Sequence, residues 1–171
     1  MSQTMSNQEY LGIRPAPSQA IAIQALTVWR IRTSIEALFV AILPIGYGIM
    51  MLYVPFPSWM LYVLIGAFVI FVIIHVIVAP FLRWKRFKYD VYDEEIELQY
   101  GVIIVKRTLI PMIRVQHVDT EQGPLLRKFQ LAAVTVSTAA TTHRIPALTL
   151  DVADELRNRI VKLAAVADDD E

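Results

Sequence analysis

Residues 37–82 read ALFVAILPIGYGIMMLYVPFPSWMLYVLIGAFVIFVIIHVIVAPFL, 46 consecutive positions without an Asp, Glu, Lys or Arg. A soluble core seldom leaves so long a block uncharged, whereas a bilayer interior demands it. Two crossings fit inside the block. Residues 34–54 number 21, which at about 1.5 Å per residue gives roughly 31 Å and matches a hydrocarbon slab of about 30 Å. Residues 58–82 form a second run of 25, long enough to cross with some tilt. Only Pro55-Phe56-Pro57 and their neighbours separate the two, so the connection is a tight hairpin turn.

The flanks orient the hairpin. Arg30 and Arg32 precede the first crossing, and Arg83, Lys85, Arg86 and Lys88 follow the second, while the connecting turn carries no charge. Cytoplasmic loops are enriched in Lys and Arg, so a multi-pass plasma-membrane protein with both termini cytoplasmic is expected. These six cations are the candidate contacts with anionic lipid, each contributing about 1 kcal/mol near the surface. Trp59 and Tyr62 at one end and Trp84 at the other are expected to form the interfacial aromatic belts.

Outward from the block, residues 1–17 are polar and contain Pro15 and Pro17, and they read as a mobile lead-in. Apolar positions at helical spacing from Ser18 predict an interfacial helix over 18–33 that feeds the membrane. Residues 1–29 hold a single basic residue, Arg14, and no continuous apolar core, so no secretory leader is expected. The whole chain balances 16 Lys and Arg against 16 Asp and Glu, and this neutrality argues against a nucleic-acid partner. It contains no cysteine, which excludes disulfides, thiolate catalysis and cysteine-ligated metals.

Beyond residue 86 the pattern becomes alternating. Phe87, Tyr89 and Val91 precede a turn at Asp93-Glu94, then Ile96, Leu98 and Tyr100 alternate with Glu95, Glu97 and Gln99. Gly101 turns the chain into a strand expected over 102–110, and further strands are expected at 113–120, around Val134 and Val136, and ahead of Pro146. Residues 125–129 suggest a helical turn. Asp151 looks like a helix N-cap, with Val152, Leu156, Ile160 and Leu163 on the buried face. Residues 167–171 form an acidic tail.

Small antiparallel strands closed by one amphipathic helix give the element order of a pleckstrin-homology (PH) domain. Arg107, Ile110-Pro111, Arg114-Val115-Gln116-His117-Val118, Pro124-Leu125 with Arg127, Leu131-Ala132, the run from Val134 to Ala139 and Ile145-Pro146-Ala147-Leu148 occur in that order. In this wording the chain resembles the bacterial membrane-anchored PH-like family, the YdbS-like membrane-flanked domain proteins. The resemblance implies an α+β membrane protein: a two-helix transmembrane hairpin, then over 86–166 a cytosolic PH-like antiparallel sheet or barrel capped by a C-terminal helix. It also implies a setting in envelope maintenance or defence against membrane-active peptides. Gln130 departs from the family, which usually has Gly there, so that turn is expected to be shaped differently.

Catalytic chemistry is not legible. There is no phosphate-binding glycine loop, nucleophile elbow or pair of catalytic carboxylates, and no cofactor or metal is expected. His117, Asp119 and Glu121 share a strand face, for which solvation is the plain reading. His75, inside the second crossing, is the candidate intramembrane functional residue, because an ionisable group there is costly. Arg107, Arg114, Arg127, Lys128 and Arg144 form a candidate interaction surface. The leading expectation is a non-catalytic scaffold that binds another membrane protein, or itself as a homo-oligomer, through a sheet edge. The alternative is a subunit of a membrane export or transport complex, motivated by His75 and by the Pro44, Gly46 and Gly48 region.

Overall fold

The computed structural model describes residues 16–169, so the expected lead-in and the end of the acidic tail lie largely outside the described residues. The apolar block folds as two long helices. The first spans Gln24–Met50 and the second Ser58–Arg86, 27 and 29 residues with mean hydropathies of 1.6 and 3.0. At about 1.5 Å per residue they reach roughly 40 and 44 Å, a surplus of about two turns over the hydrocarbon slab.

Prolines punctuate both. The first helix comprises α1 (Gln24–Val40) and α2 (Ile42–Met50), which meet at Ala41. Pro44 has no N–H for the carbonyl of Val40 and its ring crowds that group, so the break falls between them. The second comprises α3 (Ser58–Val72), a π-helical segment Ile73–Val78 and α4 (Ala79–Arg86). Here Pro80 withholds its donor, and the widened turn lies just ahead of it. Tyr47 fixes the connecting turn by donating its hydroxyl to the Pro57 carbonyl at 3.1 Å, with its ring 5.8 Å from Phe56. The first helix stops at Met50, short of the expected residue 54, and residues 51–54 belong to the turn.

The segment expected to be an interfacial helix is different. Residues Gln19–Ala20 form a strand, β1, and the helix that follows runs without interruption through residue 33. β1 pairs antiparallel with β2 (Lys88–Val91), placing Ala20 opposite Lys88. β3 (Glu95–Tyr100) and β4 (Lys106–Pro111) complete a four-stranded sheet in the order β1-β2-β3-β4. A 3-10 turn, Met112–Arg114, leads to β5 (Val115–Glu121). After a short helix α5 (Pro124–Lys128), β6 (Leu131–Thr138) and β7 (Thr142–Thr149) form a second sheet in the order β5-β6-β7. The two sheets are not joined into a closed barrel among the described residues, and α6 (Leu150–Asp169) packs across the second sheet and the 3-10 turn.

The membrane hairpin is therefore inserted between the first and second strands of the domain. Two residues make too short a strand for any periodicity to announce. Their attachment is nonetheless dense: the backbone N–H and hydroxyl of Ser18 reach the Asp90 carboxylate, the former at 2.7 Å, and the Ala22 N–H donates to the Ala147 carbonyl at 3.1 Å. Ala147 sits at φ 50 beside an irregularity in the β6–β7 ladder, which frees its carbonyl for this contact. Ile21, Ala25 and Val28 are buried in the same core as Tyr89, Leu98, Met112, Val134, Ile145, Leu148 and Ile160. Burial pushes the Tyr89 phenol above its ordinary value, and the nearby charges of Asp90 and Glu155 add to the rise.

Smaller expectations are corrected. Strand β4 begins only at Lys106, because residues 102–105 are an exposed loop. On α6 the buried positions are Ala153, Leu156 and Ile160, whereas Val152 faces out. The helix begins at Leu150, so Asp151 lies in its first turn instead of capping it. Trp84 is not simply an interfacial belt residue: its indole donates to the Ile21 carbonyl at 3.3 Å and it packs against the core.

Gln130 adopts φ 54, the left-handed conformation that glycine takes without penalty. The turn before β6 thus keeps a left-handed residue without a glycine, at a cost of about 1–2 kcal/mol. Glycine's larger unfolded-state freedom offsets part of that. Gln130→Gly is expected to stabilise the protein by about 0.5–1 kcal/mol, read as a higher thermal midpoint of the detergent-solubilised chain.

Candidate functional sites at the membrane edge and within the hairpin

The domain meets the helices at a cavity of about 600 Å³. Trp29 and Arg83 line it from the domain ends of the two spans, Tyr100, Gly101 and Val102 from the end of β3, and His143 and Arg144 from β7. Phe87, the first residue after α4, stacks on Tyr100 with ring centroids 6.5 Å apart. Two guanidinium groups and an imidazole over an aromatic floor provide hydrogen-bond donors suited to an anion. The cavity joins Arg83 of the expected lipid-contact set to Arg144 of the expected interaction surface. Sequence reasoning did not connect them, nor did it bring Trp29, Tyr100 and His143 to the same place, since nothing in the spacing reports a contact between residues so far apart.

The other lipid-contact candidates divide by use. Arg30, Lys85 and Arg86 are exposed on the domain ends of the helices. Arg32 pairs with Glu36 at 3.2 Å across one helical turn. Lys88 lies on β2, and its ammonium donates to the Ser18 carbonyl at 3.4 Å, so it helps hold the first strand.

His75 lies in the π-helical segment, and its Nε2 is 3.0 Å from the Glu36 carboxylate on the facing helix. The ring also stacks on Phe71, with centroids 5.0 Å apart and planes 16° apart. Arg32, Glu36 and His75 thus form a chain of polar contacts that ties the two spans together. Glu36 thus reaches both a neighbour on its own helix and a partner on the other. Thr33 is buried beside them and returns its hydroxyl to the Trp29 carbonyl at 2.9 Å, which satisfies it within its own helix. Gly48 lies against Leu61 of the second span, whereas Gly46 faces open space.

The remaining basic candidates lie on four elements, β4, the 3-10 turn, α5 and β7. Arg107 on β4 is paired with Glu97, its Nε donating at 2.7 Å. Glu97 is 2 % exposed, and its second carboxylate oxygen is buried without a partner. Arg144 pairs with Glu121 at 3.2 Å. Arg127 and Lys128 are exposed on α5, and Arg114 lines a separate hollow between β4 and the β6–β7 turn. His117, Asp119 and Glu121 all face solvent on β5, and no cluster suited to a metal ion occurs among the described residues.

An apolar helical hairpin set into one of two antiparallel sheets, with a C-terminal helix across the other, defines a membrane-anchored PH-like protein. The profile of the bacterial PH domain family matches residues 38–164, and the chain belongs to that family. It is 42% identical over 158 residues to the "UPF0699 transmembrane protein YdbS" of Bacillus subtilis (strain 168), covering 92% of this chain and 99% of that one. It is also 24% identical over 96 residues to the "UPF0699 transmembrane protein YdbT" of the same organism, covering 54% of this chain and 20% of that one. No solved structure matches. The family and the two apolar helices together make this a membrane protein of the YdbS-like type.

Two outcomes follow from the paired groups. Arg107→Met strands a buried carboxylate and is expected to cost about 2 kcal/mol, less than a fully buried pair would because Arg107 itself is partly exposed. Adding Glu97→Leu should recover most of the loss in the same denaturant titration. His75→Leu removes the contact between the spans and is expected to lower the thermal midpoint in detergent, while His75→Gln, which keeps a donor, should lower it less.

Proposed function

We propose that this chain is a non-catalytic interaction module at the cytoplasmic face of the plasma membrane. The hairpin holds the PH-like domain against the bilayer with both termini on that side, and the domain receives an extended segment of another membrane protein. The observation that carries this reading is the open seam between the sheets. Among the described residues β4 ends the first sheet and β5 ends the second, so the outer backbone groups of each have no strand partner there. A hollow of about 600 Å³ lies beside them, lined by Leu109, Ile110, Ile113, Arg114 and His143 among others. Leu109 and Ile113 are 55 % and 46 % exposed, an apolar seat for the side chains of an added strand, with Arg114 at its margin.

The orientation rests on charge. Arg30, Arg32, Arg83, Lys85 and Arg86 gather at the domain end, and the turn at the opposite end has no charged residue. Envelope maintenance, including defence against membrane-active peptides, is the setting we propose from resemblance to the family.

A photo-crosslinking residue at Leu109, in cells, is expected to capture a membrane protein, and Arg114→Glu should reduce that capture without lowering the amount of chain in the membrane. Capture of nothing but a second copy would replace this reading with a homo-oligomeric one, and no adduct at all would overturn both. The polar chain Arg32-Glu36-His75 favours a second reading, a subunit of an export or transport complex, because ionisable groups within spans commonly mark transport routes. Unchanged activity of His75→Leu in a cellular export assay would remove it.

A further inference from the structure

Residues 102–105, Val102-Ile103-Ile104-Val105, connect β3 to β4 and are the most exposed apolar run of the domain. Ile103 is 93 % exposed and Ile104 73 %, and Val105 is exposed beside them. Two adjacent isoleucines held almost wholly in water at a loop tip are costly and call for a cover.

The root of the loop is fixed. Gly101 sits at φ 115, and a Cβ there would lie 2.0 Å from the Ile104 carbonyl oxygen, so only glycine permits the chain to fold back this tightly. Tyr100, just before it, stacks on Phe87, one residue beyond the end of the second span. Gly101 and Val102 line the same cavity as Trp29 and Arg83, which belong to the membrane-proximal turns of the two spans. The loop therefore projects from the end of the domain at which both helices enter the bilayer. Lys106 is exposed immediately after the apolar residues, and Arg83 lines the cavity at the root of the loop, so the apolar tip has cations beside it, an arrangement that suits an anionic leaflet.

We propose that the 102–105 loop inserts into the leaflet beside the spans and forms a third attachment of the domain to the membrane. The two helices enter the bilayer close together and are packed into the domain's core, so on their own they let helices and domain tilt as one body relative to the membrane plane. A third point set apart from them removes that tilt. The cavity between the loop and the helix ends then opens toward the headgroup layer, with Arg83 and Arg144 facing it.

The absence of cysteine allows a single reporter at Ile103→Cys, labelled with an environment-sensitive fluorophore in the full chain. The chain is reconstituted in vesicles of phosphatidylethanolamine and phosphatidylglycerol. Val161→Cys, exposed on α6, serves as the aqueous comparison. Bromine-labelled acyl chains are expected to quench most of the emission at position 103 and little at 161, and aqueous iodide should show the reverse order. Iodide quenching at 103 as strong as at 161 would overturn the proposal. So would protection at 103 that disappears on dilution of protein in lipid together with efficient 103-to-103 disulfide formation, which would assign the loop to a second copy. Ile103→Asp combined with Ile104→Asp, substitutions at exposed positions, should make Lys106 newly sensitive to trypsin added to the domain side of the vesicles. Unaltered cleavage would count against insertion.

Discussion

The closure of one sheet across a membrane hairpin governs this molecule. β1 precedes the first span and β2 follows the second, yet the two are hydrogen-bonded neighbours. Both helix ends must then lie beside the same sheet, whatever the bilayer does between them. Ile21, Ala25 and Val28 carry the constraint into the core, so the membrane-proximal turns of the first helix are also part of the domain's packing. Trp84 repeats the arrangement from the second helix through the Ile21 carbonyl. The anchor and the domain share one hydrophobic core and do not meet across a flexible linker.

Within the spans the sequence departs from plain apolarity at few positions, and each departure has a local structural answer. Pro44 and Pro80 remove backbone donors, and the helices respond with a break at Ala41 and a π-helical turn ahead of Pro80. Glu36 and His75 bond to one another across the two helices, and Arg32 extends the contact by one turn toward the domain. Without water to satisfy polar groups, such pairing is what lets them reside there.

Much of the architecture was legible because it follows from strong, short-range physics. The charge-free block specified two crossings, alternation specified β2, β3 and β6, and helical spacing specified the terminal helix with its Leu156 and Ile160 face. What escaped was long-range or cancelled locally. A two-residue strand has no period. The 102–105 run looked like a strand because it is apolar and β-branched, although four consecutive apolar residues after a glycine do not alternate as a half-buried strand should. Gln130 appeared unable to support a left-handed turn, and the structure places it there regardless. The junction cavity draws Trp29, Arg83, Tyr100 and Arg144 from four separate elements, so only tertiary structure could assemble it. His75 was recognisable as an unusual residue, but its partner Glu36 lies 39 positions away and no helical spacing links them.

The interrupted sheet also imposes an order on biogenesis. Gln19 and Ala20 leave the ribosome long before Tyr89 and Lys88, their partners, exist. During that interval the hairpin must be delivered to the lipid phase, since its exposed apolar surface cannot wait in water. Only then can the nascent first strand find its neighbour, and Ala22 must wait longer still, until Ala147 is synthesised. Insertion thus comes before domain completion, and a globular part produced without its anchor would emerge lacking one edge of its sheet and a portion of its interior.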